Sequence, residues 1–596
     1  MIARMKKITV IVSNRSRDGL LLKLREAGAV HIKHVTEPFS DETNRLEERM
    51  SLLTEAVDIL NTYKRPPHKD TKTQKPEEEL IKTAQEIIER QSEKEASLIS
   101  MRDIKTSIAW FRPWGDFDPK ELEVLEERGV FVKLYRLRKN EFKKIPSALK
   151  EKIHIIKRER PYLYFAFISK ERDESLNFTQ IPRPKKSLWE FKKGLGFFKR
   201  QIEKVDTFIK ASIHLKSALK DEISILERRL KFINVRDGMK DEASFSYLQG
   251  YCPQEDVPRI SSITESEGAG YLAEDPDDPN ETPTFIKNPR WIDIISPVFK
   301  FMNTLPGYRE YDISLPFLIF FSLFFAMLIG DAGYGLVFLV ITLLARLKAR
   351  NAPREPFFLM YLLSLTTIAW GAITGTYFGS EGIARLPFLN GVVIDSINSF
   401  AADNQNFMIY ICFVIGAVHL SIAHLMQAAR TINSLKCMAQ LGWISVVWGI
   451  FFAAGTLVIA RPFPVYGGYL LGAGVGLILF FSNFQKNIIK GIFTTLADLP
   501  LKIISSFSDV VSYLRLFAVG YASVIMARSF NEMAMGAGFG TIASSLGAAL
   551  ILFLGHTLNI VLGLMAVIVH GIRLNMLEFS GHMNMQWSGR EYKPFK

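Results

Sequence analysis

The chain has 596 residues, a length that allows more than one domain. Lys and Arg outnumber Asp and Glu by 74 to 61, which gives a formal net charge of +13. An excess of basic residues is compatible with nucleic-acid binding. However, it is also what a cytoplasm-facing membrane protein needs, and the apolar runs described below favour that second interpretation, without a nucleic-acid partner.

Several kinds of site are disfavoured by composition and motif. The three cysteines, Cys252, Cys412 and Cys437, have no paired spacing, which argues against a disulfide framework or a thiolate metal site. The sequence contains no GxxxxGK[ST] phosphate loop and no HExxH motif. We therefore expect no cofactor and no metal, and we do not expect this chain to be a nucleotide-binding enzyme.

Apolar residues are segregated along the chain. From Met1 to about Lys300 the sequence is rich in Lys, Glu and Arg, whereas apolar runs of membrane-spanning length follow from about Ser314. The run ITVIV near the start is too short for a signal-peptide core. We predict a cytoplasmic domain over residues 1–295 and a transmembrane domain over residues 296–596.

Two small α/β lobes are predicted in the soluble half. The first begins with KKITVIVS, a helix near Arg17 to Ala27, and AVHIKHV; the second contains VFVKLYRL and YLYFAFI. FSYLQGYCPQED and the Pro/Asp-rich AEDPDDPNETPTFIKNP are predicted to end the soluble part and to lead into the membrane.

Between the lobes, apolar residues recur at spacings of three and four. One seam follows a helix from Leu46 to Leu60, PPHKDTKTQKP breaks it, and a polar helix runs from about Glu77 to Ala109. A second seam follows a helix from about Phe198 to Val235, interrupted at Ser212 and Lys216. The pattern predicts an antiparallel coiled-coil arm joining the lobes, with an ordinary helical bundle as the alternative.

The membrane half is predicted to contain about eight transmembrane helices. The candidate spans are residues 315–329, 333–347, 357–378, 407–428, 437–460, 465–482, 500–534 and 544–580. The first two meet at GDAGYG and are alternatively one kinked helix. Basic residues between spans two and three, four and five, and six and seven (Lys486 and Lys490) place these loops and both termini in the cytoplasm of a multi-pass cell-membrane protein.

The last two spans are unusually long. A helix of roughly 34 residues measures about 50 Å, against a hydrocarbon core of about 30 Å. We therefore expect both helices to tilt or to project into water.

Arg515 lies deep in the penultimate span, where a charge costs about 2.5 to 3.5 kcal/mol on insertion scales. A stripe of largely small or polar residues contains it: Ser508, Ser512, Arg515, Val519, Ala522 and Met526. The opposite face is bulky, with Val510, Leu514, Phe517, Tyr521 and Val524. A small-residue face lets another helix approach closely, so Arg515 lies on the face suited to contact.

The last span has a comparable stripe, formed by His556, Asn559, Gly563, Ala566, His570 and Arg573. Ionisable groups seldom face lipid, so two such stripes on adjacent helices indicate a water-accessible or ion-conducting seam. For Arg573 alone, a side chain that snorkels to the membrane surface is an equally good explanation.

Five motifs together carry a family resemblance: GDAGYGL, GTYFG, GAVHL, DVVSYLRLFAVG and HGIRLNMLEF, in this order behind a two-lobed soluble half. The chain resembles subunit a, also called subunit I, of the V/A-type rotary ATPases over essentially its whole length. Its length points to the bacterial or archaeal type.

The resemblance implies a membrane stator that forms H⁺ or Na⁺ half-channels against a rotating ring of small membrane subunits, each with an acidic residue. Arg515 matches the arginine that faces this ring, and Arg573 matches a second arginine on the last helix. The implied partners also include peripheral-stalk subunits, membrane lipids and, indirectly, the central stalk and the ATPase head. Other candidates for the ion path or the ring-facing surface are Ser508, Ser512, Glu532, His556, Asn559, His570 and Glu578.

Two positions depart from the eukaryotic pattern of this family. Gly563 stands where a glutamate is expected ten residues before the second arginine, and Ser523 stands where a histidine is expected. The main alternative function is a secondary ion-coupled transporter with a cytoplasmic regulatory domain, which predicts broken helices in both halves of the membrane domain. A membrane-anchored scaffold is the other alternative, but it gives no reason for Arg515.

Overall fold

The structure is a computed structural model that describes residues 1–63, 76–183, 185–350, 352–400, 404–483, 488–538 and 540–596. The predicted break at PPHKDTKTQKP lies outside the described residues except for Pro76, and so does Lys486. The chain is mostly helical, with sheets confined to the soluble half and one short strand at the C-terminal end.

The strands of the soluble half follow one another as β1 (Met5–Ser13), β2 (His31–Lys33), β3 (Phe131–Arg138), β4 (Ile153–Glu159), β5 (Tyr162–Ser169), β6 (Lys240–Asp241), β7 (Phe245–Pro253), β8 (Gly270–Glu274) and β9 (Pro283–Thr284). Its helices are α1 (Arg17–Ala27), α2 (Asp41–Asn61), α3 (Glu77–Trp114), α4 (Pro119–Glu127), α5 (Lys139–Lys143), α6 (Ser147–Lys150), α7 (Leu188–Ser212), α8 (Lys216–Asp237), α9 (Val257–Ser266), α10 (Arg290–Asp293) and α11 (Ser296–Met302).

The first lobe is built from two distant parts of the soluble half. Its sheet has the order β2-β7-β1-β8, with β6 on β7, and β1 pairs antiparallel with both neighbours. The segment FSYLQGYCPQED, expected to end the soluble part, supplies β7 beside β1. The alternating residues Ile8, Val10 and Val12 of β1 are buried against α1, as the period-two pattern requires.

The second lobe is a three-stranded sheet of order β3-β5-β4. The predicted strands VFVKLYRL and YLYFAFI form β3 and β5, which pair antiparallel. Sequence reasoning missed β4, whose segment IHIIKRE alternates half-buried with exposed residues and carries three charges.

Long helices join the two lobes. Lys94 of α3 contacts Asp206 of α7 at 2.6 Å, and Ser97 bonds to Gln201 at 3.4 Å, so these helices run antiparallel. Beside the first lobe, α2 packs against α8, where Glu42 pairs with Arg229 and Arg236. The pairing of α3 with α7 is antiparallel, as predicted for the arm, but the description of the arm as a coiled coil stays a prediction.

The second arm helix begins earlier than predicted. It starts at Leu188 rather than Phe198, because Ser187 and Glu190 form a capping box that stabilises the first turn despite two nearby glycines. The predicted interruption at Ser212 and Lys216 coincides with a single 3₁₀ turn, Ile213–Leu215, between α7 and α8.

The membrane half contains the remaining helices. They are α12 (Ser314–Ile329), α13 (Ala332–Lys348), α14 (Glu355–Thr374), α15 (Glu381–Ala384), α16 (Pro387–Asn390), α17 (Gln405–Arg430), α18 (Lys436–Ile459), α19 (Val465–Phe481), α20 (Ile488–Ser512), α21 (Leu514–Ala537), α22 (Ile542–Ala566) and α23 (Ser580–His582). Two π-helical segments, Val567–Gly571 and Leu574–Phe579, continue α22 into α23.

Apolar helices occur at all eight predicted positions, but not all are long enough to cross a membrane alone. Within the described residues, five helices are long and apolar enough to cross a membrane, and α12 and α13 meet this requirement only when they are taken together. The α19 helix is a shorter apolar helix. The number of eight spans therefore remains a prediction, while the described residues contain five candidate spans, or six if the α12–α13 pair is one span.

The α12 and α13 helices are not one kinked helix. They are bent by 118° at GDAGYG. Contacts of Ser322 with Thr366 and of Gly330 with Thr376 show that α12 runs parallel to α14. In contrast, α13 runs antiparallel to α14, with Ala332 beside Gly371 and Arg346 over Phe357. The pair is thus a hairpin that turns at Asp331.

The penultimate helix is longer than predicted. Residues Ile489–Ala537 form a helical run of 49 residues, which corresponds to about 74 Å. Pro500, where the predicted span begins, lies inside α20. Lys490 therefore belongs to this helix rather than to the loop where it was expected.

Ile209 lies where α7 packs into the core of the arm and is 0% exposed. We predict that Ile209→Ala destabilises the arm by about 2 to 5 kcal/mol, because the substitution removes buried methylene groups. The measurement is native-state hydrogen exchange of the amides in α3 and α7. Ile225→Ala in α8 is the matched control, since Ile225 is 47% exposed, and its effect should stay within about 0.5 kcal/mol. Equal protection in both variants would contradict the packing described here.

Candidate functional site

Tyr513 positions the segment that carries Arg515. The helix is interrupted at Tyr513, between α20 and α21, and the Tyr513 side chain is fully buried. Its hydroxyl lies 2.8 Å from Nδ1 of His419, and its ring lies against Gly416, where a Cβ would approach to 2.6 Å. The motifs GAVHL and SYLRL therefore meet at this tyrosine, which fixes the backbone two residues before Arg515.

His419 is itself rigidly held. Its ring stacks between Phe320 at 3.9 Å and Phe579 at 4.4 Å, measured between ring centroids. These contacts tie α17 to α12 and to the last helix. Four helices, including the one that carries Tyr513, thus converge next to Arg515.

Arg515 is half-buried and, within the described residues, makes no hydrogen bond and no ion pair. It lies close enough to His570 and Glu578 of the last helix for its charge to act on both. A guanidinium that makes no such contact is a poor structural element in an apolar region, because its desolvation is not offset. The side chain is therefore available to an external anion.

Arg573 lies on the last helix, where it and Ile572 separate the two π-helical segments. Its Nε is 3.5 Å from Oε1 of Glu578, and the side chains are 47% and 3% exposed, respectively. The other carboxylate oxygen of Glu578 is buried without a hydrogen-bond partner among the described residues, as is Nδ1 of His570. π-Bulges occur frequently at functional sites, and here they place two charges and an imidazole near Arg515.

A polar cavity of about 380 Å³ adjoins these residues. Arg573 and Glu578 line it together with a chain of polar groups from three helices and α23. In this chain, Asp509 lies 3.1 Å from His582, His582 lies 2.9 Å from His424, and His424 lies 2.9 Å from Gln440. Asn584 also lines the cavity, so the cavity lies at the end of the last helix that is nearest the soluble half.

A second polar cluster lies farther along the same helices. His556 contacts the Tyr334 hydroxyl at 2.8 Å and Asn531 at 3.1 Å. Asn559 donates to Tyr334 at 3.0 Å and accepts a hydrogen bond from Ser523 at 3.1 Å. Ser523 is eight residues after Arg515, or about 12 Å along the helix, whereas Asp509 is six residues before it. The two clusters therefore lie on opposite sides of Arg515.

Asp331 joins two of the sequence motifs. Its buried carboxylate caps α13 by accepting hydrogen bonds from Gly333 and Tyr334, and it also accepts from Phe378 and Gly379, both at 2.8 Å. The motif GDAGYGL is thereby tied to GTYFG. This connection fixes Tyr334, whose hydroxyl contacts both His556 and Asn559.

The two departures from the eukaryotic pattern have a local explanation. Gly563 packs against Ile329, and a Cβ at this position would come within 2.9 Å of its Cδ1, so a larger side chain would displace Ile329. Ser523 is buried and bonded to Asn559. Both positions are part of the packing between α12, α21 and α22.

The remaining candidates are dispersed. Ser508 is exposed, whereas Ser512 is only 9% exposed and does not lie on the outer surface of the subunit. Glu532 is exposed and pairs with Arg528 one turn away at 2.8 Å. The exposed stripe around Arg515 instead contains Ser508, Ala518, Ala522 and Ile525.

Sequence reasoning missed several residues of these clusters: Asp331, Tyr334, His419, His424, Asp509, Tyr513 and His582. The motifs that contain Asp331, Tyr334, His419, Asp509 and Tyr513 were recognised, but no role was assigned to these side chains. His424 and His582 are single histidines on separate helices, and only the tertiary fold brings them within hydrogen-bond distance. Within the described residues, no group of three or more His, Cys, Asp or Glu side chains could hold a metal ion.

Comparison with known proteins identifies the family. The V-type ATP synthase subunit I of Borreliella burgdorferi is 31% identical to this chain, in an alignment that covers 100% of the chain and 99% of the relative. This chain belongs to the subunit I family of V/A-type ATP synthases. The V-type ATP synthase subunit I 1 of Treponema pallidum is 27% identical over the whole of both chains. The A-type subunit I of Methanocaldococcus jannaschii is 25% identical over 59% of this chain and 55% of its own.

No family model matches the chain. A crystal structure of the cytoplasmic N-terminal domain of a subunit I, a homologue of V-ATPase subunit a, aligns with 45% of this chain at 16% identity and a TM-score of 0.23, too low to support an argument about fold. The subunit I relatives confirm the resemblance that the motifs indicated. As a member of the subunit I family, the chain is a membrane subunit of a rotary ATPase, which argues against the secondary-transporter interpretation.

We predict that Gly520→Ala lowers the stability of this subunit I by about 1 to 3 kcal/mol, because a Cβ would lie 2.3 Å from the backbone oxygen of Met327. Thermal unfolding in detergent measures the effect. Gly536→Ala on the same helix meets nothing within 4 Å and should be neutral or stabilising by up to about 1 kcal/mol. Indistinguishable unfolding temperatures would refute the close approach of α12 and α21.

Proposed function

We propose that this subunit I is the ion-translocating stator of its complex and that it forms two half-channels that are offset on either side of Arg515. The observation that carries the proposal is the arrangement of polar groups along the last two helices. A cavity with Asp509, His582 and His424 lies on one side of Arg515, and the cluster around Tyr334 and Asn559 lies on the other. Arg515, which makes no hydrogen bond and no ion pair with the described residues, separates them.

The proposed partner of Arg515 is the acidic residue of a rotating ring of small membrane subunits. A bare carboxylate is strongly disfavoured in lipid, so a ring carboxylate passes through lipid only when it carries a proton or a sodium ion. Next to Arg515 the carboxylate is stable in its ionised form, because an opposite charge lowers the carboxylate pKa. The ion is therefore released at Arg515, and a new ion is bound from the other half-channel.

The arginine also prevents leakage between the half-channels. A cation crossing directly from one polar cluster to the other would pass Arg515, whose positive charge repels it. Arginine suits this position better than lysine, because the guanidinium stays protonated when it is poorly hydrated. Transport then requires rotation of the ring, which couples ion flow to ATP synthesis or hydrolysis in partner subunits.

The other groups have supporting roles in this proposal. Arg573, His570 and Glu578 form the entrance from the polar cavity to Arg515, with Ser508 on the ring-facing surface. His556 and Asn559 belong to the opposite half-channel, and Glu532 lies at its outer end. Residues 296–596 form the translocation domain, and residues 1–295 form a cytoplasmic domain that binds peripheral-stalk subunits and resists torque. The arm between the two lobes, with its antiparallel helices, suits a load-bearing strut.

The first test replaces the central arginine. Arg515→Ala should abolish ATP-driven ion transport in proteoliposomes while the complex still assembles, and Arg515→Lys should restore little of it. Arg573→Ala should be less severe, because Arg573 is 47% exposed and has a partner in Glu578. Arg385→Ala is the control, since this arginine is 76% exposed on a loop. Near-native transport by an assembled Arg515→Ala complex would overturn the proposal.

The second test locates the ring. A cysteine at Ala522, on the exposed stripe, should form a disulfide with a cysteine on the outer helix of the ring near its carboxylate, since a disulfide needs Cα atoms within about 7 Å. The link should stop transport, and a reductant should restore it. Ala527→Cys is the matched control, because Ala527 is 1% exposed and faces the interior of the subunit. Cross-linking at Ala527 but not at Ala522 would place the ring on another face.

A further inference from the structure

The chain ends in a segment that returns from the membrane domain to the first lobe. We call residues 583–596 the C-terminal tail. Close to the membrane, the amide of Gln586 donates to Glu310 at 2.5 Å, and the amide of Gly589 donates to Leu305 at 3.1 Å. A Cβ on Gly589 would lie 2.1 Å from the carbonyl oxygen of Pro306, so the two backbones are in close contact.

The far end of the tail is built into the first lobe. Strand β10 (Arg590–Glu591) pairs parallel with β9, in the linker that follows the lobe, as a separate two-stranded sheet. The Tyr592 hydroxyl donates to the carbonyl oxygen of Ala29 at 2.6 Å, and the amide of Phe595 donates to that of Val30 at 2.8 Å. The Phe595 side chain is 6% exposed and belongs to the core of the lobe.

The tail continues directly from the helix that carries the second arginine. His582, which contacts Asp509 and His424, immediately precedes it, and Glu578 and Arg573 lie within the preceding three turns. Along the chain, the linker before α12 also joins the lobe to the membrane domain. The N-terminal amino group fixes that linker by an ion pair with Asp312. A body held at one point can pivot there, whereas a body held at two points cannot pivot freely.

We propose that the C-terminal tail is a positioning element for ion translocation: by docking on the first lobe it gives the membrane domain a second attachment and keeps Arg573 and Glu578 in place while the ring exerts torque. The inference rests on the proposed function of this subunit. It assigns a role to Phe595 and Tyr592, which lie far from the ion path. These are positioning residues, since they act through the last helix.

The test compares variants of the full complex in proteoliposomes. Phe595→Ala should leave ATP hydrolysis in place but lower the number of ions transported per ATP by roughly half or more, because displacement of Arg573 and Glu578 slows ion exchange steeply while partner subunits still hydrolyse ATP. Amide exchange in residues 590–596 should accelerate by roughly 100-fold, as expected when a large buried side chain is removed. Phe595→Leu, which refills much of the space, should restore most of the coupling. Gly270→Ala in the same lobe meets nothing within 4 Å and is the control.

A reversible covalent link separates positioning from a general folding defect. Glu591 and Thr284 are registered partners in the β10–β9 pair. Strands lie about 4.8 Å apart, within the reach of a disulfide, so the pair Glu591→Cys and Thr284→Cys should cross-link. In the Phe595→Ala background, oxidation should restore ions transported per ATP, and a reductant should remove the gain. Unchanged coupling in Phe595→Ala despite faster exchange of the tail would overturn the inference, as would a disulfide that restores nothing.

Should Phe595→Ala fail to assemble, Tyr592→Phe removes only the hydrogen bond to Ala29 and is measured in the same way. A smaller loss of coupling with faster exchange supports the inference, and native coupling with faster exchange contradicts it. Arg515→Ala is measured in parallel. If Arg515→Ala still transports ions, the proposed function itself fails; if Arg515→Ala is inactive while the tail variants couple normally, only the role of the tail fails.

Discussion

The membrane domain must hold a single guanidinium that has no hydrogen-bond or ion-pair partner among the described residues. Arg515 has neither a hydrogen bond nor an ion pair within the described residues, so the surrounding fold holds it in place without neutralising it. The neighbouring contacts are correspondingly tight. Tyr513 is locked by His419 and Gly416, and Gly520 lets α21 touch the backbone of α12. Most of this precision comes from backbone and aromatic packing, which positions the arginine without accepting a hydrogen bond from it.

The same logic explains why the sequence motifs lie where they do. GAVHL supplies the partner of Tyr513, and GDAGYGL and GTYFG are joined through the carboxylate of Asp331. None of these motifs contributes a charge next to Arg515. They hold the helices against one another, so that the polar groups of two separate clusters are kept on either side of the arginine.

Much of this organisation could be predicted, and the remainder depended on tertiary contacts. Periodicity located the apolar helices and the strands β1, β2, β3 and β5, because each follows from local spacing. It could not predict the cavity around His424 and His582, which are 158 residues apart. Nor could it reveal that Ser512 points inward, since the break at Tyr513 shifts the faces of the helix.

The location of Phe595 has a consequence for how the protein is made. The core of the first lobe contains residues from β1 and α1, which are synthesised first, and a phenylalanine next to the last residue of the chain. Every membrane helix is translated between these two contributions. The first lobe therefore cannot complete its core until residues beyond the last membrane helix have been synthesised, so the final packing of this lobe follows the synthesis of the membrane domain.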